Sequence, residues 1–401
     1  MLTIHSEKQA PVEHGFALFR LGFRPFFMVA ALLAAIGMVI WMVELVFNMR
    51  LLPATVPPIY WHAHEMIYGY ALAVIAGFLL TAVRNWSNVQ TLHGWPLQLL
   101  LLLWGLARIA GLMPGSQALM AAVILDNLFI LYLSVALTVP VAQAKLWKNM
   151  GVISKVYFFL IGNVIYALGL FGLFHDGQRI GLFIGLYMIL SLILVLSRRL
   201  MPMFIERGVG YTVTLKNHIQ LDIACFLLFL VFAIADIFFT NVALVAYLAA
   251  VLFILHSIRL WGWYTHGIWH KPLLWVLFLG YGWIIVGFAL KFAVFAAGIS
   301  PSLAIHAFTV GGIGMMTLGM MSRISLGHTG RDIAHPPSGV GLAFLMLCVG
   351  AIVRVLFPLI STEFYQLWIG ISQGLWIAAF TLFLYRYTAI LVRPRIDGRP
   401  G

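Results

Sequence analysis

The sequence predicts an all-α, polytopic membrane protein of about twelve transmembrane helices with both termini in the cytoplasm. Three observations predict it: the composition, the recurrence of long apolar runs, and the placement of the basic residues. Of 401 residues, 63% are hydrophobic and 9% charged, against roughly 25% charged in soluble domains. A water-facing surface cannot be built from that supply, and the same figures exclude disorder, collagen and coiled coil. The formal net charge of +12 would suggest nucleic acid in a soluble chain. Here it marks loops rich in Lys and Arg, with the lipid bilayer and no nucleic acid as the expected partner. Cys225 and Cys348 both lie in apolar runs. They give no disulfide framework, no CxxC metal knuckle and no CxxCH for covalent haem attachment. The opening segment, MLTIHSEKQAPVEHGFALFR, is too polar for a cleavable signal peptide.

Runs near the ~20 residues that cross a bilayer fall at about 26–47, 61–83, 95–113, 117–139, 156–174, 180–197, 221–239, 242–261, 272–297, 303–321, 339–358 and 365–388. Short connections leave no room for a soluble domain. The expected organisation is a cytoplasmic segment 1–25, a membrane domain 26–388 and a cytoplasmic tail 389–401. No internal repeat is visible. An even number of spans puts both termini on one side. That side receives 19 of the 24 Lys and Arg residues, from Lys8, Arg20 and Arg24 to Arg393, Arg395 and Arg399. The other five are Arg50, Arg108, Arg179, Lys291 and Arg354. Such an asymmetry assigns the terminal side to the cytoplasm.

Ionisable groups inside a membrane are costly, so each is a candidate for function. Near the outer ends lie Glu44, His62, His64, Glu65, Arg108, Asp236, Lys291, His306 and Arg354. Asp126 and Asn127 are near the middle of span 4, while His93, His218, Asp222, His256, His266, His270, Arg323 and His328 mark the inner edge. The sharpest local feature is PPIYWHAHEM, residues 57–66. Its prolines suit a loop entering a helix. His62 and His64 bind one ion together only if this stretch is extended; on a helix they point different ways, with His62, Glu65 and Met66 near one face. An interfacial Trp-His belt is the plainer reading.

His306 opens the run HAFTVGGIG. Gly311, Gly312 and Gly314 would let a flat macrocycle approach the backbone, although small-residue helix packing explains glycines equally well. A neutral imidazole is an effective ligand for haem iron and copper. Arg108 and Arg354 suit haem propionates at this depth, or snorkel to the outer surface. In MMSRISLGHTGR, residues 320–331, Arg323 and Arg331 can reach lipid phosphate, quinone or loop carboxylates. The methionines at 315, 316, 320 and 321 resemble soft copper ligands, yet Met in a span usually packs. Shared depth predicts that His306 meets at least one of His62 and His64 around a metal centre. Glu65 is then a hydrogen-bond partner or proton donor. His328 lies ~30 Å away and could serve only a second centre.

The stretches LFRLGFRPFF (18–27), PPIYWHAHEMIYGYALAVIAGFLLTAVRNW (57–86), GWPLQLLLLLWGLAR (94–108) and HAFTVGGIGMMTLGMMSRISLGHTGR (306–331) resemble the NnrS family. The resemblance implies a multi-pass protein of the bacterial inner membrane carrying haem (a noncovalent haem b) and copper. It also implies a part in nitric oxide metabolism, denitrification or nitrosative stress. His62, His64, His306 and His328 are the positions matching the family's His motifs. A departure is Phe278, in LLWVLFLGYGW, a segment in which many members of that family carry a His. The leading expectation is therefore a haem protein that reduces or sequesters nitric oxide. A reductase would use Glu65 as catalytic acid and a quinol or other membrane electron donor. It lacks the paired His-His motif and six-His complement of a haem-copper oxidase. A different class is a twelve-span transporter of a metal or metal-thiol/nitrosyl complex, for which mid-membrane charge and broken helices would speak. A membrane chaperone for denitrification enzymes is a third.

Overall fold

The computed structural model describes residues 15–239 and 241–398. Lys8, Arg399 and the first fourteen residues of the expected N-terminal segment lie outside the described residues. Among the described residues, twelve helices are long and apolar enough to cross a membrane. They are α1 Phe23–Leu45, α2 Pro58–Ser87, α3 Gly94–Gly111, α4 Ser116–Gln143, α5 Trp147–Leu170, α6 Gly177–Gly208, α7 Ile219–Phe238, α8 Val242–Gly262, α9 Pro272–Ala297, α10 Pro301–Gly327, α11 Val340–Ile360 and α12 Tyr365–Val392. There is no strand among the described residues. The protein is a multi-pass, all-helical membrane protein.

Two boundaries differ most from the hydropathy reading. Helix α6 continues to Gly208, through Pro202 and past Arg198 and Arg199. Its last turns carry four charged residues, two of which are held from outside the apolar run: Arg198 Nε sits 2.6 Å from Asp222 of α7, and Glu206 accepts the Leu215 amide at 3.1 Å. Helix α5 starts at Trp147 rather than 156, because Lys155 turns its ammonium back to the Gly151 carbonyl at 2.7 Å. Hydropathy alone reads such charged turns as loop.

The two ends of the chain meet. The Ala17 amide donates to Val392 O at 2.8 Å, tying the N-terminal segment to the end of α12. Arg24, fully buried, donates to Leu391 O at 2.9 Å and Arg393 O at 2.7 Å. These carbonyls are left over at a helix end, so a guanidinium there satisfies both partners. We call this the terminal side and the opposite one the far side.

Helix neighbours recur with a period of four, a regularity with no counterpart visible in the sequence. Helices α3 to α6 pack in chain order, as do α7 to α10, and α11 and α12 continue through α1 to α2. The last helix of each set, α6, α10 or α2, touches the other two at the centre. These three are also the most enclosed, with 72% to 78% of their most apolar stretch buried. Close approach is built into the joins: a Cβ on Gly181 of α6 would stand 2.4 Å from the Gly162 carbonyl oxygen of α5.

Two central helices are irregular. Residues Glu65–Ala71 of α2 and Ala307–Gly314 of α10 form wide π-helical turns, each directly after a histidine, His64 or His306. Such turns are rare and concentrate at functional sites.

Candidate functional site on the far side

The first helix of each set carries a charged residue near its far end: Arg108 on α3, Asp236 on α7 and Arg354 on α11. Each meets the central helix just before it in the chain. Arg108 meets Glu65 of α2, Asp236 bonds Tyr187 of α6, and Arg354 meets His306 of α10. The Asp236 cluster is closed by Lys291 Nζ at 2.6 Å and 2.8 Å. It is a satisfied ion pair. The other two clusters flank α2 and contain the histidines.

On one flank, Arg108 holds Glu65 Oε2 at 3.1 Å and binds Asp126 Oδ2. His64 places Nε2 2.8 Å from Asn163 Oδ1 and Nδ1 3.5 Å from Glu65 Oε1. Its ring stacks between Tyr166 and Tyr68, with centroids at 4.6 Å and 5.0 Å. A pocket of about 430 Å³, counted to its mouth, lies among these groups and reaches Val56 and Leu119 near the far surface. Gly69 makes the approach possible, since a Cβ there would be 2.7 Å from Arg108 Nη1. Two carboxylates thus share one guanidinium, so this flank supplies its own counter-charge.

On the other flank, His62 lies flat on Trp41 of α1, centroids 4.7 Å apart at 7°. Its Nδ1 is buried without a hydrogen-bond partner. His306 Nδ1 donates to Ser302 O at 2.7 Å, which fixes the tautomer and leaves Nε2 facing Arg354 Nη2 at 3.3 Å. Arg354 and His62 both lie within electrostatic range of the His306 ring. Arg354 also reaches Ser302 Oγ at 3.1 Å and lies over Tyr365, 5.7 Å from its centroid. It is 7% exposed and its Nη1 has no partner. Among the described residues no Asp or Glu stands within ion-pair distance of it. A buried cation without an anion is costly, so this flank asks for one.

On this flank Arg354 contacts His306, and His62 of span 2 lies within electrostatic range of that ring. His64, Glu65 and Arg108 are gathered into the neighbouring cluster. Glu65 does not follow His62 onto one face: its contacts are His64 and Arg108, because the wide turn starting at Glu65 breaks the α-helical spacing on which that expectation rested. His328 stands apart on the terminal side, its ring 5.8 Å from Phe23 and its carbonyl bound by Arg395 at 3.0 Å. Burial, then Arg395, Arg84 and Arg24, push its imidazole down to about 4. Asn163, Ser302 and Trp41 were not singled out in the sequence. Asn163 had a signal, an amide in the middle of an apolar run; Ser302 and Trp41 had none.

In donor chemistry the His62 flank fits a metal-bearing group. It offers an unpartnered ring nitrogen, a second imidazole oriented by a backbone carbonyl, and a guanidinium lacking an anion. Among the described residues no three His, Cys, Asp or Glu side chains converge in a metal-binding cage. No curated protein matches the chain. A family model described as NnrS protein matches residues 17–395. It takes in both His-bearing helices and nearly the whole of the fold described above, so the chain belongs to the NnrS family.

Proposed function

We propose that the protein is a haem-binding member of the nitric oxide response, set in the bacterial inner membrane with its termini in the cytoplasm. Family membership and the twelve-helix fold suggest a membrane protein of that response. The observation that carries the haem reading is the convergence of His62, His306 and Arg354 without an acidic partner. Two imidazoles do not make a cage for a bare ion, which favours a metal arriving with most of its ligands, as haem iron does. His306 or His62 would hold the haem iron and Arg354 would hold a propionate. Haem, when bound, supplies an iron that takes up diatomic gas. The chain's own part is to orient the imidazoles, through Ser302 and the Trp41 stack, and to keep water out with an aromatic wall. Copper has weaker support, since neither flank offers three donors of the kinds it prefers. Glu65, held by Arg108 and His64 one helix face away, would act through the His64 cluster and not touch the gas. A quinol is the proposed electron donor if nitric oxide is reduced.

The transporter reading keeps one specific support, the matched irregular turns of α2 and α10. Asp126, the mid-membrane charge in its favour, is bound by Arg108. The test is the haem content and Soret band of His62→Ala, His64→Ala, His306→Ala and His328→Ala in monodisperse protein. Loss in His62→Ala and His306→Ala with retention in the other two is expected. Full haem in both of the first two would overturn the assignment.

A further inference from the structure

An apolar space lies away from every histidine named above. It is a cavity of about 600 Å³, counted to its mouth, between α2, α6 and α10 in the terminal-side half. Its wall is apolar except for Ser197 and Thr317. Phe27, Met316 and Met201 form the closed end, all of them buried. Phe78, Leu196, Leu200 and Phe204 are partly exposed, so the mouth opens into hydrocarbon and not into water. An occupant must be lipid-soluble.

The two polar groups differ. Thr317 is engaged, its hydroxyl 2.5 Å from Tyr70 OH. Ser197 is 3% exposed and its Oγ has no hydrogen-bond partner. A buried hydroxyl left unpaired costs free energy, and this one lines the cavity. An acyl chain filling the space would leave it unpaired. A ring bearing a carbonyl or hydroxyl would not. Phenylalanine and methionine walls suit a flat ring, and a mostly apolar pocket with one or two placed polar groups is the usual form of a small-molecule site. On the terminal side the Arg323 guanidinium lies over the ring of Phe204, 4.0 Å from its centroid, and covers that part of the mouth. A long tail therefore leaves sideways, past Phe78 and Leu200.

The geometry points to a binding site for a lipid-soluble quinone or quinol, entering ring first, with a ring oxygen hydrogen-bonded to Ser197. The site stands on its own lining; only its use as an electron entry rests on the nitric oxide reading. The measurement is retention of decylubiquinone by the full chain in phosphatidylcholine nanodiscs, quantified by extraction against empty discs. Saturable uptake near one per chain is expected. Ser197→Ala should weaken it by up to about tenfold, Ser197→Thr should restore it, and Leu200→Trp should abolish it by filling the cavity. Uptake no greater than that of empty discs overturns the proposal. So does saturable uptake that these variants leave unchanged, or loss in Leu200→Trp with Ser197→Ala unaffected, which would mean that only a tail enters. None of these readings needs haem, so His306→Ala protein that has lost its haem should still bind the quinone.

Discussion

Arg108→Gln should be among the most damaging single changes in this chain. The substitution leaves Glu65 and Asp126, 6% and 3% exposed, facing each other without a counter-charge. Removing one partner of a buried pair costs about 3–5 kcal/mol. Here two carboxylates depend on one guanidinium, which places the loss near the upper end of that range. Part of it is recoverable, because the cost comes from stranded charge and not from lost packing. The triple variant Arg108→Met, Glu65→Gln, Asp126→Asn removes all three charges and should regain most of the loss; neutral replacements of buried ionic groups are often neutral or better. Unfolding can be followed in mixed micelles with a thiol-reactive dye, since Cys225 is buried in the fold and reacts on opening. A single variant as stable as the parent, or a triple variant no better than the single, would refute the view that electrostatic pairing holds this cluster.

Three further outcomes follow from particular contacts. Gly181→Ala puts a Cβ 2.4 Å from Gly162 O and 2.6 Å from the Tyr166 amide, so α5 and α6 must separate at a cost of about 1–3 kcal/mol; an unchanged melting temperature would show that the join is looser than it looks. The folded chain holds the His328 imidazole at about 4 against an ordinary 6.5, so the unfolded chain binds the extra proton first. Stability should be complete above about pH 6.5 and fall toward pH 4 by an amount on the order of 3 kcal/mol, and an equal acid slope in His328→Asn would reject that account. The proposed orientation is tested by single cysteines: Ala54→Cys should label in intact cells and Ser338→Cys only after permeabilisation, with the reverse result inverting the topology.

The spans were legible because each needs only a run of apolar residues, a local property. What hydropathy misread were charged turns at helix ends, in α5 and α6, where a lysine or arginine finds a carbonyl or carboxylate. The pairings across the bundle were not legible at all. Arg108 and Asp126 sit on adjacent helices, but α10 reaches His62 from more than two hundred residues away, and nothing in either segment names the other. The divergence of His62 and His64 could be read, since residues two apart never share a helix face. The destination of Glu65 could not, because the change from α to wide π turns at that residue leaves no mark in the composition.

That divergence on α2 produces the functional asymmetry of the far side. Two imidazoles two residues apart are delivered to different helix sets, and the two surroundings differ in charge. Around His64 the chain provides two carboxylates and one guanidinium, a net negative charge of one. Around His62 it provides a guanidinium and no carboxylate among the described residues. A cofactor carrying its own acid groups is at home in the second cluster and would meet repulsion in the first. On α2 alone, the two histidines are equal candidates. The balance of charge beside each imidazole distinguishes them, and it favours the side that α10 completes.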